Sequence, residues 1–204
     1  MDRRTLLATL AAAPLAAGLA LPEPARAEAS LAAISRYFNS FTTAQGGFTQ
    51  VNDDQSISTG TLYIRRPGRV RFEYNPPERQ LVLAGAGQVV IFDGRGGGNG
   101  ETYPLAETPL SIILAETVDL TRAGMVTRHV SDGTTTTVTA QDPRRPDYGN
   151  IQLVFTENPV ALRQWVVTNG NGERTTVILN DFATGMDHPP SRFSIERARA
   201  EFGG

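Results

Sequence analysis

Apolar and polar residues alternate in short runs along most of this chain, and the clearest run is residues 64–77, IRRPGRVRFEYNPP. A turn signal, Arg66-Pro67-Gly68, opens it and Pro76-Pro77 closes it. Between them Val70, Phe72 and Tyr74 fall on one face, and Arg69, Arg71 and Glu73 on the other. Period-two alternation between turn signals predicts a strand with one dry face and one wet face.

The same pattern predicts further strands at 47–52, 60–65, 80–84, 88–93, 125–130, 135–141, 152–155, 161–168, 175–182 and 192–195. Asp93-Gly94, Asp132-Gly133 and Asn169-Gly170-Asn171-Gly172 supply the positive φ that tight hairpins need. About eleven short strands without alternating helices predict a mainly β fold built on an antiparallel sheet. A sheet of that size must curl strongly or close.

Two segments break the period. Leu31, Ile34 and Phe38 recur at helical spacing behind Ser30, which can cap the start, so one amphipathic helix is expected before Gly46-Gly47. Residues 108–116, TPLSIILAE, form an apolar interruption between strand blocks. Thr108 as N-cap, Pro109 in the first turn, and Leu110, Ile113 and Leu114 on one face predict a short helix, with a strand as the alternative.

Composition places this sheet outside the cytoplasm. Arg3 and Arg4, the apolar stretch from Leu6 to Leu21 and Ala25-Arg26-Ala27 read as a signal peptide over residues 1–27, cleaved after Ala27. Either the general or the twin-arginine export route fits Arg3-Arg4. The chain has no cysteine, hence no disulfide, no thiol nucleophile and no lipid-accepting residue after the signal. Residues 28–204 are long enough for one domain with a core, and no internal repeat or linker divides them. All 19 basic residues are arginine, the net charge is −2, and no basic run interleaved with aromatics points to nucleic acid.

Catalytic and metal chemistry is thin. His129 and His188 are too few and too far apart for an ordinary metal site and read as structural. Asp53-Asp54, Asp142 and Asp147 lie in turn-like sequence. The glycine-rich stretch Gly94 to Gly100 is followed by strand-like sequence rather than a helix N-terminus, so it reads as a hairpin loop and not a phosphate loop. Ser56, Ser58 and Ser111 lack a nucleophile elbow, and no enzyme or cofactor is expected.

Several stretches, in this order, resemble the LolA family of periplasmic lipoprotein carriers. They are Phe48-Thr49-Gln50, Gly60-Thr61-Leu62-Tyr63-Ile64, the run from Arg66 to Tyr74, the segment from Thr108 to Leu114, and the late hairpin from Gly172 to Asn180. The similarity covers most of residues 28–204. It implies an incomplete antiparallel β-barrel whose apolar concave face is covered by short α-helices. That face would hold the acyl chains of lipoproteins, with Leu62, Ile64, Val70, Phe72 and Tyr74 lining it and Leu110, Ile112, Ile113 and Leu114 forming a lid helix. Arg66 matches the family's lid latch; read from the residues alone, it is a solvated charge at a strand end.

The resemblance further implies a monomeric periplasmic protein that receives cargo from an inner-membrane ABC transporter. It would pass that cargo to an outer-membrane receptor of the LolB type. Two other readings stand beside the carrier: a regulatory domain of the same fold that senses lipoproteins or another amphiphile, and a secreted lipid-modifying enzyme.

Overall fold

The computed structural model describes residues 28–94 and 99–202. The expected signal peptide and the middle of the glycine-rich loop lie outside the described residues. Eleven strands form one antiparallel sheet. They are β1 (Thr43–Val51), β2 (Ile57–Arg65), β3 (Arg69–Tyr74), β4 (Gln80–Gly85), β5 (Gln88–Asp93), β6 (Glu101–Pro104), β7 (Val126–Ser131), β8 (Thr135–Ala140), β9 (Asn150–Glu157), β10 (Val160–Thr168) and β11 (Arg174–Thr184). The order across the sheet is β6-β5-β4-β3-β2-β1-β11-β10-β9-β8-β7. The first and last strands therefore pair at the centre, while β6 and β7 form the two edges.

The sheet is strongly curled. Strands β3 and β10 stand four places apart, and at roughly 4.8 Å per strand a flat sheet would separate them by about 19 Å. Instead the rings of Phe72 and Trp165 meet edge to face with centroids 6.3 Å apart. Register shifts at Gln45/Gly47, Val126/Arg128 and Leu162/Gln164 mark bulges, which bend and twist the strands they interrupt. The result is an incomplete barrel with edges that do not pair with each other. Gly60 makes one close approach possible: a Cβ there would lie 2.1 Å from the Glu73 carbonyl oxygen and 2.7 Å from the Phe48 ring.

Alternation decides what each face buries. On β2, Leu62 and Ile64 are buried, and on β9 Ile151, Leu153 and Phe155 are. These side chains join those of β1, β3, β8, β10 and β11 in one core on the concave face. Helix α1 (Leu31–Asn39) lies over this core, with Ser30 Oγ accepting from the Ala33 amide at 3.2 Å. Phe38 and Tyr37 set their rings edge-on to Phe155, 5.9 and 6.0 Å away. The short helix α2 (Leu110–Ile113) covers the same side.

The structure corrects the expected elements in several places. Residues 192–195 are not a strand: Pro190–Phe193 form a 3-10 turn, and helix α3 follows over Ile195–Phe202. The two prolines set the turn, and Ser194 Oγ accepts from the Arg197 amide at 3.2 Å, starting the helix. The eleventh strand is instead β6, from the strand-like sequence after the glycine-rich loop. Thr108 does not cap α2, because its hydroxyl donates back to the Leu105 carbonyl at 2.9 Å and closes a preceding 3-10 turn. Helix α1 ends before Gly46-Gly47 as expected, at Asn39, but the first strand begins four residues sooner than expected, at Thr43, and holds both glycines.

Helix α3 packs on the convex face. Phe193, Ala198 and Phe202 cover Leu81, Leu83, Val90 and Phe92, whose side chains point away from the concave core. Strands β4 and β5 are consequently buried on both faces, which explains why QLVLAG and QVVIFD are nearly continuous apolar runs.

Candidate functional site

Strands β2 and β3 are register partners, with Leu62 opposite Phe72 and Ile64 opposite Val70. All four side chains are almost fully buried on the concave face. Phe72 and Tyr74 both stand edge-on to Phe48, at 5.3 and 5.1 Å. The Tyr74 hydroxyl donates to Gln50 Oε1 at 2.7 Å, and burial pushes its pKa up to about 12. It therefore stays protonated at neutral pH and acts as the polar end of an otherwise apolar surface.

The segment 105–120 lies against this surface. Ile113 and Leu114 are buried in the same core as Leu62, Ile64, Val70 and Phe72, and Leu110 and Ile112 pack half-buried against it. Val118 and Leu120, next along the chain, are also buried there. The concave face is thus filled by the chain itself, and the five strand positions and four segment positions singled out in the sequence meet in one apolar cluster.

Arg66 sits where this segment, helix α1 and the β2–β3 turn converge. Only 6% of it is exposed, so the solvated strand-end reading does not hold. A guanidinium has five N–H donors, and five acceptors surround this one. Nε donates to the Ala115 carbonyl at 2.9 Å. Nη1 donates to the carbonyls of Phe38 and, at 3.3 Å, Phe41. Nη2 donates to the Glu116 carbonyl at 3.0 Å and to Asn39 Oδ1 at 3.1 Å.

Among the described residues no carboxylate pairs with Arg66. Carbonyl dipoles balance the charge, including those at the negative C-terminal end of α1. Burial lowers the guanidinium pKa from its ordinary value, but an arginine retains its proton. The neighbouring backbone adds two more ties: the Arg66 amide donates to Thr42 O at 2.7 Å and the Gly68 amide to Leu114 O at 2.8 Å.

A second set of ties did not emerge from the sequence. Asn39 Oδ1 accepts from the Val118 amide at 2.9 Å while its Nδ2 donates to the Val118 carbonyl at 2.8 Å. Ser35 Oγ accepts from the Leu120 amide at 3.0 Å and donates to the Leu31 carbonyl at 2.8 Å. The available signal was spacing: Ser35 and Asn39 are four apart, so they share one stripe of α1. These bonds fasten the segment just beyond Glu116 to the helix. Asn39→Ala is expected to remove both bonds to Val118 and one acceptor of Arg66, costing about 1–3 kcal/mol of local stability. Amide exchange at Val118 should accelerate in Asn39→Ala, and much less in Asn39→Asp, which keeps the acceptor.

Both histidines are engaged within the fold. His188 is buried, its Nε2 lies 3.1 Å from the Ala44 carbonyl, and its ring stands edge-on to Tyr63. His129 Nε2 lies 3.0 Å from the Ala29 carbonyl. Among the described residues no helix is long and apolar enough to cross a membrane.

Comparisons with known proteins show which family this chain resembles. The family described as outer membrane lipoprotein carrier protein LolA matches residues 39–196. An outer-membrane lipoprotein carrier protein of Chromobacterium violaceum is 27% identical, over 94% of this chain and 94% of that one. A protein of the same description from Methylococcus capsulatus is 35% identical over 65 residues, 29% of this chain and 31% of its own. Among solved structures, a LolA superfamily protein from Nitrosomonas europaea aligns with a TM-score of 0.42 and 11% identity, over 82% of this chain and 98% of that one. With the match to the family extending from the end of α1 into α3, the chain belongs to the LolA family.

Proposed function

We propose that this protein is a periplasmic, non-enzymatic carrier that binds the acyl chains of lipoproteins on its concave face and moves them from the inner to the outer membrane. The observation that carries this reading is the filling of one apolar face by a short segment between two strand blocks, residues 105–120. Leu62, Ile64, Val70, Phe72 and Tyr74 would line the lipid site, and Leu110, Ile112, Ile113 and Leu114 would act as its lid. Arg66 would latch the lid through the carbonyls of Ala115 and Glu116.

The magnitudes permit the exchange. Each buried lid side chain contributes about 1.5–3 kcal/mol. An acyl chain gains about 0.8 kcal/mol per methylene, so a dozen methylenes gain roughly 10 kcal/mol. One chain can therefore displace Ile113 and Leu114 together with the latch bonds, while the lid keeps the empty face dry. No ATP-binding pattern accompanies the site. Direction would come from an inner-membrane ABC transporter upstream and from an acceptor of higher affinity, of the LolB type, downstream.

Residues 1–27 would act as the export signal. Native purification from the host followed by mass spectrometry of bound species tests the proposal. Co-purified triacylated lipoprotein is the expected result; phospholipid alone, or an empty protein, would count against it.

A further inference from the structure

A polar cleft of about 370 Å³ opens on the outer side of the barrel rim, beside the β2–β3 turn. Thr42, Thr43, Arg65, Arg66, Arg69 and Asp187 are among its lining residues. Arg65 and Arg69 are direct cross-strand partners. Ile64 and Val70, their neighbours in sequence, are buried in the concave core, so alternation turns both arginines outward. Like charges directly opposite each other destabilise a strand pair, and here little within the chain offsets them. Arg65 Nη1 donates to the His188 carbonyl. Arg69 has no hydrogen bond or ion pair among the described residues, and Asp187 pairs with neither arginine.

The next arginine along β3 shows the contrast. Arg71 also faces outward, yet it is neutralised by Glu73 at 2.6 Å and Glu201 at 3.4 Å. The cleft therefore concentrates two guanidinium forks with spare donors, flanked by Thr42 and Thr43, in a protein whose net charge is −2. A carboxylate is satisfied by one such fork. Two forks approaching from opposite strands suit an oxyanion with three or more acceptor oxygens.

We propose that this cleft is a binding site for a phosphate group, gripped by Arg65 and Arg69. The group could arrive as the headgroup of an anionic phospholipid or as free phosphate, and the chemistry of recognition is the same. The two gripping side chains, Arg65 and Arg69, stand on the face of β2 and β3 opposite the one read as the acyl-chain site, with Arg66 bordering both.

The test titrates the purified protein with inorganic phosphate while following backbone amide shifts at residues 65–70. In parallel, it measures co-sedimentation with vesicles of phosphatidylcholine alone or mixed with phosphatidylglycerol. Arg69→Gln removes one fork; Arg128→Gln, exposed on β7, removes the same charge far from the cleft. Saturable shifts that weaken about tenfold or more in Arg69→Gln, and stay unchanged in Arg128→Gln, support the site. If Arg69-dependent binding also appears with phosphatidylglycerol vesicles, the source is a lipid headgroup; if only inorganic phosphate acts, the source is the free ion. The proposal is overturned if neither probe binds saturably, or if the two variants lose binding equally.

Discussion

Arg66→Leu is expected to leave the barrel folded while releasing the lid. Leucine matches the apolar surroundings but donates nothing, so the carbonyls of Phe38, Phe41, Ala115 and Glu116 and the Asn39 side chain all lose a partner. Buried polar groups left unsatisfied cost about 1–3 kcal/mol each. The cheapest relief is to let water reach them, and on the proposed function it is the lid segment that moves away from helix α1. The expected local penalty is about 3 kcal/mol or more, or at least a hundredfold increase in lid opening. Hydrogen exchange at residues 110–116 measures it directly, against β9 and β10 as internal controls that should not change. Arg66→Lys should fall between the two, because an ammonium has three donors for five acceptors and no planar fork. Unchanged exchange at 110–116 in Arg66→Leu would remove the latch from the account.

Phe72→Ala is the second large effect. Phe72 is buried between Phe48, at 5.3 Å, and Trp165, at 6.3 Å, and its ring bridges strands that stand four places apart in the sheet. Truncation should cost about 3–5 kcal/mol of global stability in the empty protein. If acyl chains occupy this face, part of that loss is recovered on loading, because methylenes fill the space the ring vacates. The thermal upshift on adding an acylated peptide should then be larger for Phe72→Ala than for the parent chain, even though its unliganded Tm is lower. A smaller upshift in the variant would mean the ring is needed as a contact rather than replaceable as filler. An unchanged one would place the lipid elsewhere.

The parts of this protein legible in its sequence are those with a local cause. The run from Arg69 to Tyr74 alternates because one face is wet and the other dry, and it forms β3 with the expected residues buried. The Asn-Gly and Asp-Gly turns mark hairpins because few other residues accept positive φ; Gly133 and Gly172 have φ of 82° and 86°. What stayed hidden has a distant cause. Ser35 and Asn39 look like ordinary polar positions until residues 118–120, some 80 positions later, present backbone groups to them. The burial of Arg66 depends on acceptors from two other segments, so its own neighbourhood gives no warning. Residues 192–195 read as a strand because Phe193 and Ile195 alternate, whereas the chain forms a 3-10 turn there and enters α3 at Ile195, both packed on β4 and β5.

The partition of faces follows from the same logic. Strands β4 and β5 are apolar on both sides because the concave core covers one and helix α3 with its preceding turn covers the other. Arg65 and Arg69 face outward together because they are opposed across β2 and β3, and Arg66, the next residue after Arg65, falls on the inner side. Three arginines within five residues thus serve three environments: one is saturated with carbonyls, one is held by a single carbonyl, and the side chain of the third has no partner among the described residues.

The central claim is that lid and acyl chain compete for one apolar face. Hydrogen exchange at residues 110–114, measured with and without a soluble triacylated lipopeptide, tests it most directly. The account predicts that binding accelerates exchange there while protecting Phe48, Leu62 and Phe72. Binding that leaves residues 110–114 equally or better protected would contradict it.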